Sequence, residues 1–255
     1  MAFPALRLAV GTLTVLPVGQ LDEITPVVAG RAMVLAPLAV LPLGAGVALV
    51  GGLARALELP GLVVGLLVVG AVGLGTRAMH LDGLADTADG LGSGWDAERA
   101  LSVMKRGDVG PMGVVTLIVV LGLQAAALAD LVRGVPGALL AGLLLVASRA
   151  ALTLVCRRGV AAARPTGLGV AVAGTVPFAA TVASWIGSAA ALAVAFALTD
   201  RSWWVGGLAV LLAALVVLGL VRHCVRRFGG VTGDVMGAAV EVCFTVLLLA
   251  AAAVR

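Results

Sequence analysis

The chain has 255 residues, 62% hydrophobic and only 12% charged, with a mean hydropathy of +1.18. Soluble domains average about half apolar and a quarter charged, so these values exclude an ordinary soluble domain and place the chain in a bilayer. The formal charge of +4 rests on sixteen Arg and the single Lys105. Beside apolar runs, such cations set membrane topology and hold anionic ligands, and nucleic acid is not expected as a partner.

The first segment, Phe3 to Val18, is interrupted by Pro4, Arg7 and Pro17 and carries no signal-peptide cleavage site. It is too short to cross comfortably and reads as an interfacial helix. Seven candidate spans follow, at about 33–52, 60–79, 112–131, 137–156, 178–198, 203–221 and 236–254, each near the twenty apolar residues a crossing needs. Between 166 and 198 two arrangements stay open: one long broken helix, or a re-entrant piece and then a helix, with Pro177 at the break. The 35 glycines, with many alanines, suit helices whose backbones approach closely. No polar stretch exceeds about thirty residues, too few for a separate domain. The expected fold is therefore all-α, a polytopic integral membrane helix bundle of about seven transmembrane helices plus a short N-terminal interfacial helix, forming one domain over 1–255. Cys156, Cys224 and Cys243 have neither metal-ligand spacing nor a disulfide pattern and read as small core hydrophobes.

Cation placement orients the bundle. With the N-terminus inside, Arg7, Arg31, Arg77, Arg99, Lys105, Arg106, Arg157, Arg158, Arg164, Arg222, Arg226 and Arg227 share one side, whereas Arg55, Arg133, Arg201 and Arg255 fall on the other. The bias puts segments 80–111, 157–169 and 222–235 together in the cytoplasm.

The chemically distinctive residues lie in those segments. In HLDGLADTADG, residues 80–90, Asp82, Asp86 and Asp89 are offset by four and seven and lie along one side of a helix. Like charges at that spacing repel, so a hard divalent cation, magnesium above all, is expected to hold them together and grip a diphosphate. Gly83 and Ala85 are expected to leave that face open to a large ligand. The blander alternative is a solvated helix end. An isolated imidazole is more often hydrogen-bonded structure than base, but adjacency to Asp82 makes His80 a candidate site residue as well. Lys105 and Arg106 precede the Gly110–Pro111–Met112–Gly113 turn and suit phosphate oxygens. Arg149 falls inside a span, where an arginine is costly unless it faces a carboxylate or a ligand. Near the C-terminus, Gly229, Gly230 and Gly233 let a backbone fold around a phosphate, with Thr232 and Asp234 adding a hydroxyl and a carboxylate. Glu241, two turns after Asp234, needs an Arg, a metal or a proton.

With these residues in view, the chain resembles the cobalamin synthase family, the adenosylcobinamide-GDP ribazoletransferases. The resemblance rests on His80 to Gly90, on Met104–Lys105 with Gly110 and Gly113, on Ser148–Arg149, and on the Gly229 to Asp234 turn. It implies a magnesium-dependent enzyme of the bacterial inner membrane whose active site faces the cytoplasm. Its substrates would be adenosylcobinamide-GDP and α-ribazole or its 5′-phosphate, with GMP leaving. Whether the chain forms a homo-oligomer or associates with other cobalamin-assembly enzymes stays open. On this reading Asp82, Asp86 and Asp89 hold magnesium, and Asp89 or Asp86 takes the proton of the attacking hydroxyl. Lys105 and Arg149 clamp phosphate, and His80, Gly229, Gly230, Thr232, Gly233 and Asp234 bind substrate. Arg106–Gly107–Asp108 departs from the family pattern, which leaves the roles of Arg106 and Asp108 open. Two rivals remain. A CDP-alcohol phosphotransferase of lipid synthesis would place an Ala-Arg pair after the first Asp-Gly, where Ala85–Asp86 stands here. A cation-coupled transporter would use Arg149 and Glu241, and no internal repeat supports it.

Overall fold

The computed structural model describes residues 2–20, 24–199 and 201–253. Among them are fourteen helical segments and no strand, only two isolated bridges. Arg255, one of the orienting cations, lies outside the described residues, as does Val254, the end of the last expected span.

The interfacial expectation for the N-terminus is met by α1 (Ala2–Leu13), which buries Ala5, Ala9 and Leu13 along one stripe. Arg7 on its other side donates to the carbonyls of Val18 and Gln20 and holds the departing chain. α2 (Pro26–Val34), α3 (Ala36–Ala39) and α4 (Leu41–Ala56) follow one another with single-residue breaks. Pro37 and Pro42 cause the breaks, because each lacks an N–H and suits only a first turn. α5 (Gly61–Gly75) ends in a sharp turn before α6 (Met79–Gly92), and the two axes differ by 93°. Arg77 and Ala78 occupy the left-handed region at φ 55° and 54°, and the Ala78 amide donates back to Gly73 O at 2.7 Å. α6 is thereby turned sharply off α5 and packs on α8 and α14.

α7 (Ala97–Val103) is short and is capped by Asp96, which accepts from the Glu98 amide. α8 (Pro111–Leu131), α9 (Val135–Ser148) with α10 (Ala151–Val155), α12 (Phe178–Ala197), α13 (Trp203–Phe228) and α14 (Gly233–Ala253) supply five helices long and apolar enough to cross a membrane, or six if the bent α5–α6 pair counts as one. The expected spans at 33–52 and 60–79 come out shorter, as α4 with 16 residues and α5 with 15. At 1.5 Å per residue these reach only about 22–24 Å. The open question at 166–198 resolves as a short α11 (Leu168–Val172), a turn, and α12 starting after Pro177. Val176 pairs with the Cys156–Arg158 backbone, which pins that turn.

α14 and the α9–α10 pair form the centre, whereas α8, α12 and α13 show apolar side chains such as Ile118, Ile186, Leu211 and Leu215 outward, as lipid contact requires. Glycines set the closest approaches. Gly44 and Gly142 bring α4 onto α9 backbone to backbone, Gly65 does the same for α5 on the Ala125 turn of α8, and Gly206 brings α13 onto Leu192 of α12. The approach that matters most here joins α6 to α14. A Cβ at Gly83 would sit 2.7 Å from Asp234 O and 2.9 Å from its Cα, and one at Gly237 would meet the Cα and O of His80 at 3.0 Å.

This contact is backbone on backbone, so no side chain can yield to an added methyl. G83A and G237A should each lower the stability of the detergent-solubilised protein by about 1–3 kcal/mol through overpacking. G46A and G70A, whose added carbons meet nothing within 4 Å, should leave the melting temperature unchanged or slightly higher.

Candidate active site

The α6–α14 crossing gathers charge at one end of the bundle. Asp82 and Asp234 line a cavity of about 240 Å³ together with Met79, Arg164, Thr166 and Gly167. Asp234 accepts from the Thr232 hydroxyl at 3.1 Å and faces the Arg164 guanidinium, Nη1 to Oδ2 at 3.6 Å. Thr232 also caps α14, its Oγ1 accepting from the Val235 amide. Arg164 is steadied by donating to Leu101 O at 2.9 Å, so α7, the 157–169 segment and α14 meet at this cation. The three polar segments that cation placement grouped on one side do share one end of the fold.

Asp86, one turn beyond Asp82, is half-buried. Burial, and then the negative charges of Asp82, Asp234 and Asp89, push its carboxyl up to about 6, and Arg164 opposes the shift. Asp89 stands apart from the other two aspartates. It is buried, and both oxygens are already engaged: Oδ2 accepts from the Gly110 amide at 2.7 Å and Oδ1 from the Gly113 amide at 2.9 Å. It therefore caps the start of α8, and a Cβ at Gly110 or Gly113 would collide with its carboxylate. Among the described residues no three acidic, histidine or cysteine side chains converge as a ready-made metal cage.

Other expected site residues are placed as follows. Gly83 and Ala85, read as open to ligand, are both buried. Gly83 is needed for the helix crossing, which corrects that expectation. Gly229 has φ 77° and ends α13 in the left-handed region. Gly230 lets the chain lie against Ala161–Ala163, where the Val231 amide donates to Ala161 O and its carbonyl accepts from Ala163. The glycine turn is thus partly committed to pairing with the 161–163 segment, while Val231, Thr232 and Gly233 reach the cavity wall. Lys105 is exposed and lines neither this cavity nor the one beside Asp89. Among the described residues His80 is buried with no hydrogen-bond partner on either ring nitrogen, against a small apolar cavity that shares Met79, Leu168 and Gly233 with the main one.

Arg149, expected as a phosphate clamp, has no exposed surface and lines neither cavity. Nη1 donates to Leu145 O and Ser148 Oγ, whereas Nε and Nη2 have no hydrogen-bond partner among the described residues. Within electrostatic reach lies Glu241, itself buried, whose Oε2 accepts from Gln124 at 2.9 Å. Of its two expected partners, Arg149 thus lies toward a carboxylate and away from the cavities, although among the described residues the two charged groups do not come within 4 Å. The residue that sequence reasoning passed over is Arg164, which entered only as a topology cation. Its neighbourhood, Arg-Pro-Thr-Gly on the same side as the aspartates, was the available signal.

A family profile described as cobalamin-5-phosphate synthase matches residues 5–252. The chain belongs to that family. Over 250 residues it is 51% identical to the adenosylcobinamide-GDP ribazoletransferase of a Nocardioides species, covering 98% of both chains. It is 38% identical to the protein of that name from Frankia casuarinae, covering 95% of this chain and 92% of the relative. The counterpart from Bradyrhizobium diazoefficiens is 36% identical over 97% and 93%. No solved structure matches.

Two outcomes test this geometry. A carboxyl held above its ordinary value favours the fold only while protonated. In cation-free buffer the protein should therefore lose stability as pH rises from about 4 to about 6, and D86N should flatten that slope in melting curves. In the core, R149M should lower the melting temperature by removing a charge that acts on Glu241, and R149M/E241M should recover part of that loss.

Proposed function

We propose that this chain transfers the adenosylcobinamide phosphate group from adenosylcobinamide-GDP to the alcohol of α-ribazole, or of its 5′-phosphate. The new P–O bond forms at the phosphorus nearer the corrinoid, the bond to GMP breaks, and adenosylcobalamin or its 5′-phosphate results. The observation that carries the reading is a cavity holding Asp82, Asp234 and Arg164, with Asp86 beside it, in a chain whose relatives bear that name over nearly their whole length. The family match favours neither a CDP-alcohol phosphotransferase nor a transporter.

Magnesium suits this donor set. It binds through one or two carboxylates completed by substrate phosphates, not through an all-protein cage. Of the three aspartates implied by the resemblance, Asp82 points into the cavity and Asp89 is engaged by amides. Asp82 and Asp234 would hold the ion, which when bound supplies charge neutralisation on the diphosphate. Arg164 contributes a fixed positive charge from the opposite wall. Asp86, whose carboxyl is raised by burial and the neighbouring acids in the cation-free protein, would accept the proton of the attacking alcohol. Transfer between a diphosphate and an alcohol needs alignment and charge neutralisation more than a protein nucleophile, and no covalent intermediate is invoked. The enzyme would sit in the bacterial plasma membrane with this cavity in the cytoplasm, in keeping with the excess of arginine at that end.

Detergent-solubilised protein should release GMP from adenosylcobinamide-GDP only when α-ribazole and magnesium are both supplied. D82N and D234N should reduce turnover at least a hundredfold, about 2.7 kcal/mol in the barrier, with little change in melting temperature. Full rates from both variants, or GMP release without α-ribazole, would contradict the assignment.

A further inference from the structure

A second cavity, of about 410 Å³, opens beside the end of α6, between it and the 103–112 segment. Val103, Pro111 and Met112 supply apolar walls, and the polar side chains there include Arg106 and Asp108. Nothing derived above uses either side chain. Neither is ion-paired within 4 Å among the described residues, and both are exposed. Asp89 forms part of the wall, but its two amide contacts leave it little capacity for a ligand.

The position of this cavity matters as much as its lining. Asp82 at the first cavity and Asp89 at the second are seven residues apart on one helix face, about 10 Å along the axis. Asp86 lies between them. That spacing is of the order of the length of a nucleoside diphosphate, from its phosphates to its base.

We propose that this cavity is the guanine subsite of the substrate, with Asp108 reading the base's Watson–Crick edge and Arg106 its O6 and N7. The proposal rests on the reaction proposed above, whose leaving group is GMP. Guanine offers two donors, N1–H and the exocyclic N2 amine, to a carboxylate, and O6 with N7 suits a guanidinium fork. Adenine reverses the pattern: its N1 repels the carboxylate and its N6 amine faces the guanidinium. The apolar walls take up the ring faces. The pair therefore selects guanine over adenine through hydrogen-bond polarity, where shape alone would discriminate poorly.

The test is equilibrium competition of GMP and AMP against labelled GMP on the full-length, detergent-solubilised protein. Wild type should favour GMP by about tenfold or more, and D108A and R106M should each bring the ratio below about threefold. Melting temperature and the KM for α-ribazole should not move, since both side chains are exposed and lie away from the first cavity. Equal affinity for GMP and AMP in wild type, or an unchanged ratio in both variants, overturns the subsite. A protein that selects GMP through Asp108 yet releases no GMP from adenosylcobinamide-GDP would leave the subsite standing and remove the transfer reaction.

Discussion

The site depends on a contact between two helix backbones. Where α6 crosses α14, Gly83 faces the Asp234 backbone and Gly237 faces that of His80, and neither position has room for another carbon. Hydrocarbon gives helices no hydrophobic reason to associate, so close backbone packing between small residues does that work. The consequence is chemical. Asp82 comes from a helix bent off α5 and Asp234 from the first turn of the last span, and this crossing sets both on one cavity, with Asp86 one turn further along α6.

Once gathered, the carboxylates divide by environment. Asp89 is buried and meets two backbone amides at the positive end of α8. Asp86 has no such partners and is half-buried among other acids, so its carboxyl rises. Asp82 remains exposed to the cavity and Asp234 shares Arg164. Three aspartates of one sequence motif thus take different parts, and the third contributes to architecture by fixing where α8 begins.

A second polar layer lies deeper in the bundle. Arg149, Glu241, Gln124 and Thr245 are all buried, linked by hydrogen bonds from Gln124 to Glu241 and Thr245 and by the reach of the Arg149 charge to Glu241. Unpaired charges at such depth are costly, which explains why cation and carboxylate occur together. The same charge reaches His80 on α6, so this layer borders the helix that carries the aspartates.

Much was legible in the sequence because the bilayer imposes strict rules. Apolar run length located the five full-length spans to within a few residues, apart from the seven-residue extension of α13 past 221, and cation bias grouped the polar segments that do meet. The aspartate spacing announced acidic chemistry at a helix face. What remained hidden depended on partners distant along the chain. Asp89 looked equivalent to Asp82 until the amides of Gly110 and Gly113 reached it, and Arg149 looked like a ligand clamp until the packing of α9, α10 and α14 closed over it. Gly83 looked like open space until α14 filled it, and Arg164 looked like a topology signal until Asp234 lay opposite. Periodicity and charge are properties of a segment and can be read locally; which groups a side chain finally faces is settled only when helices remote in sequence pack together.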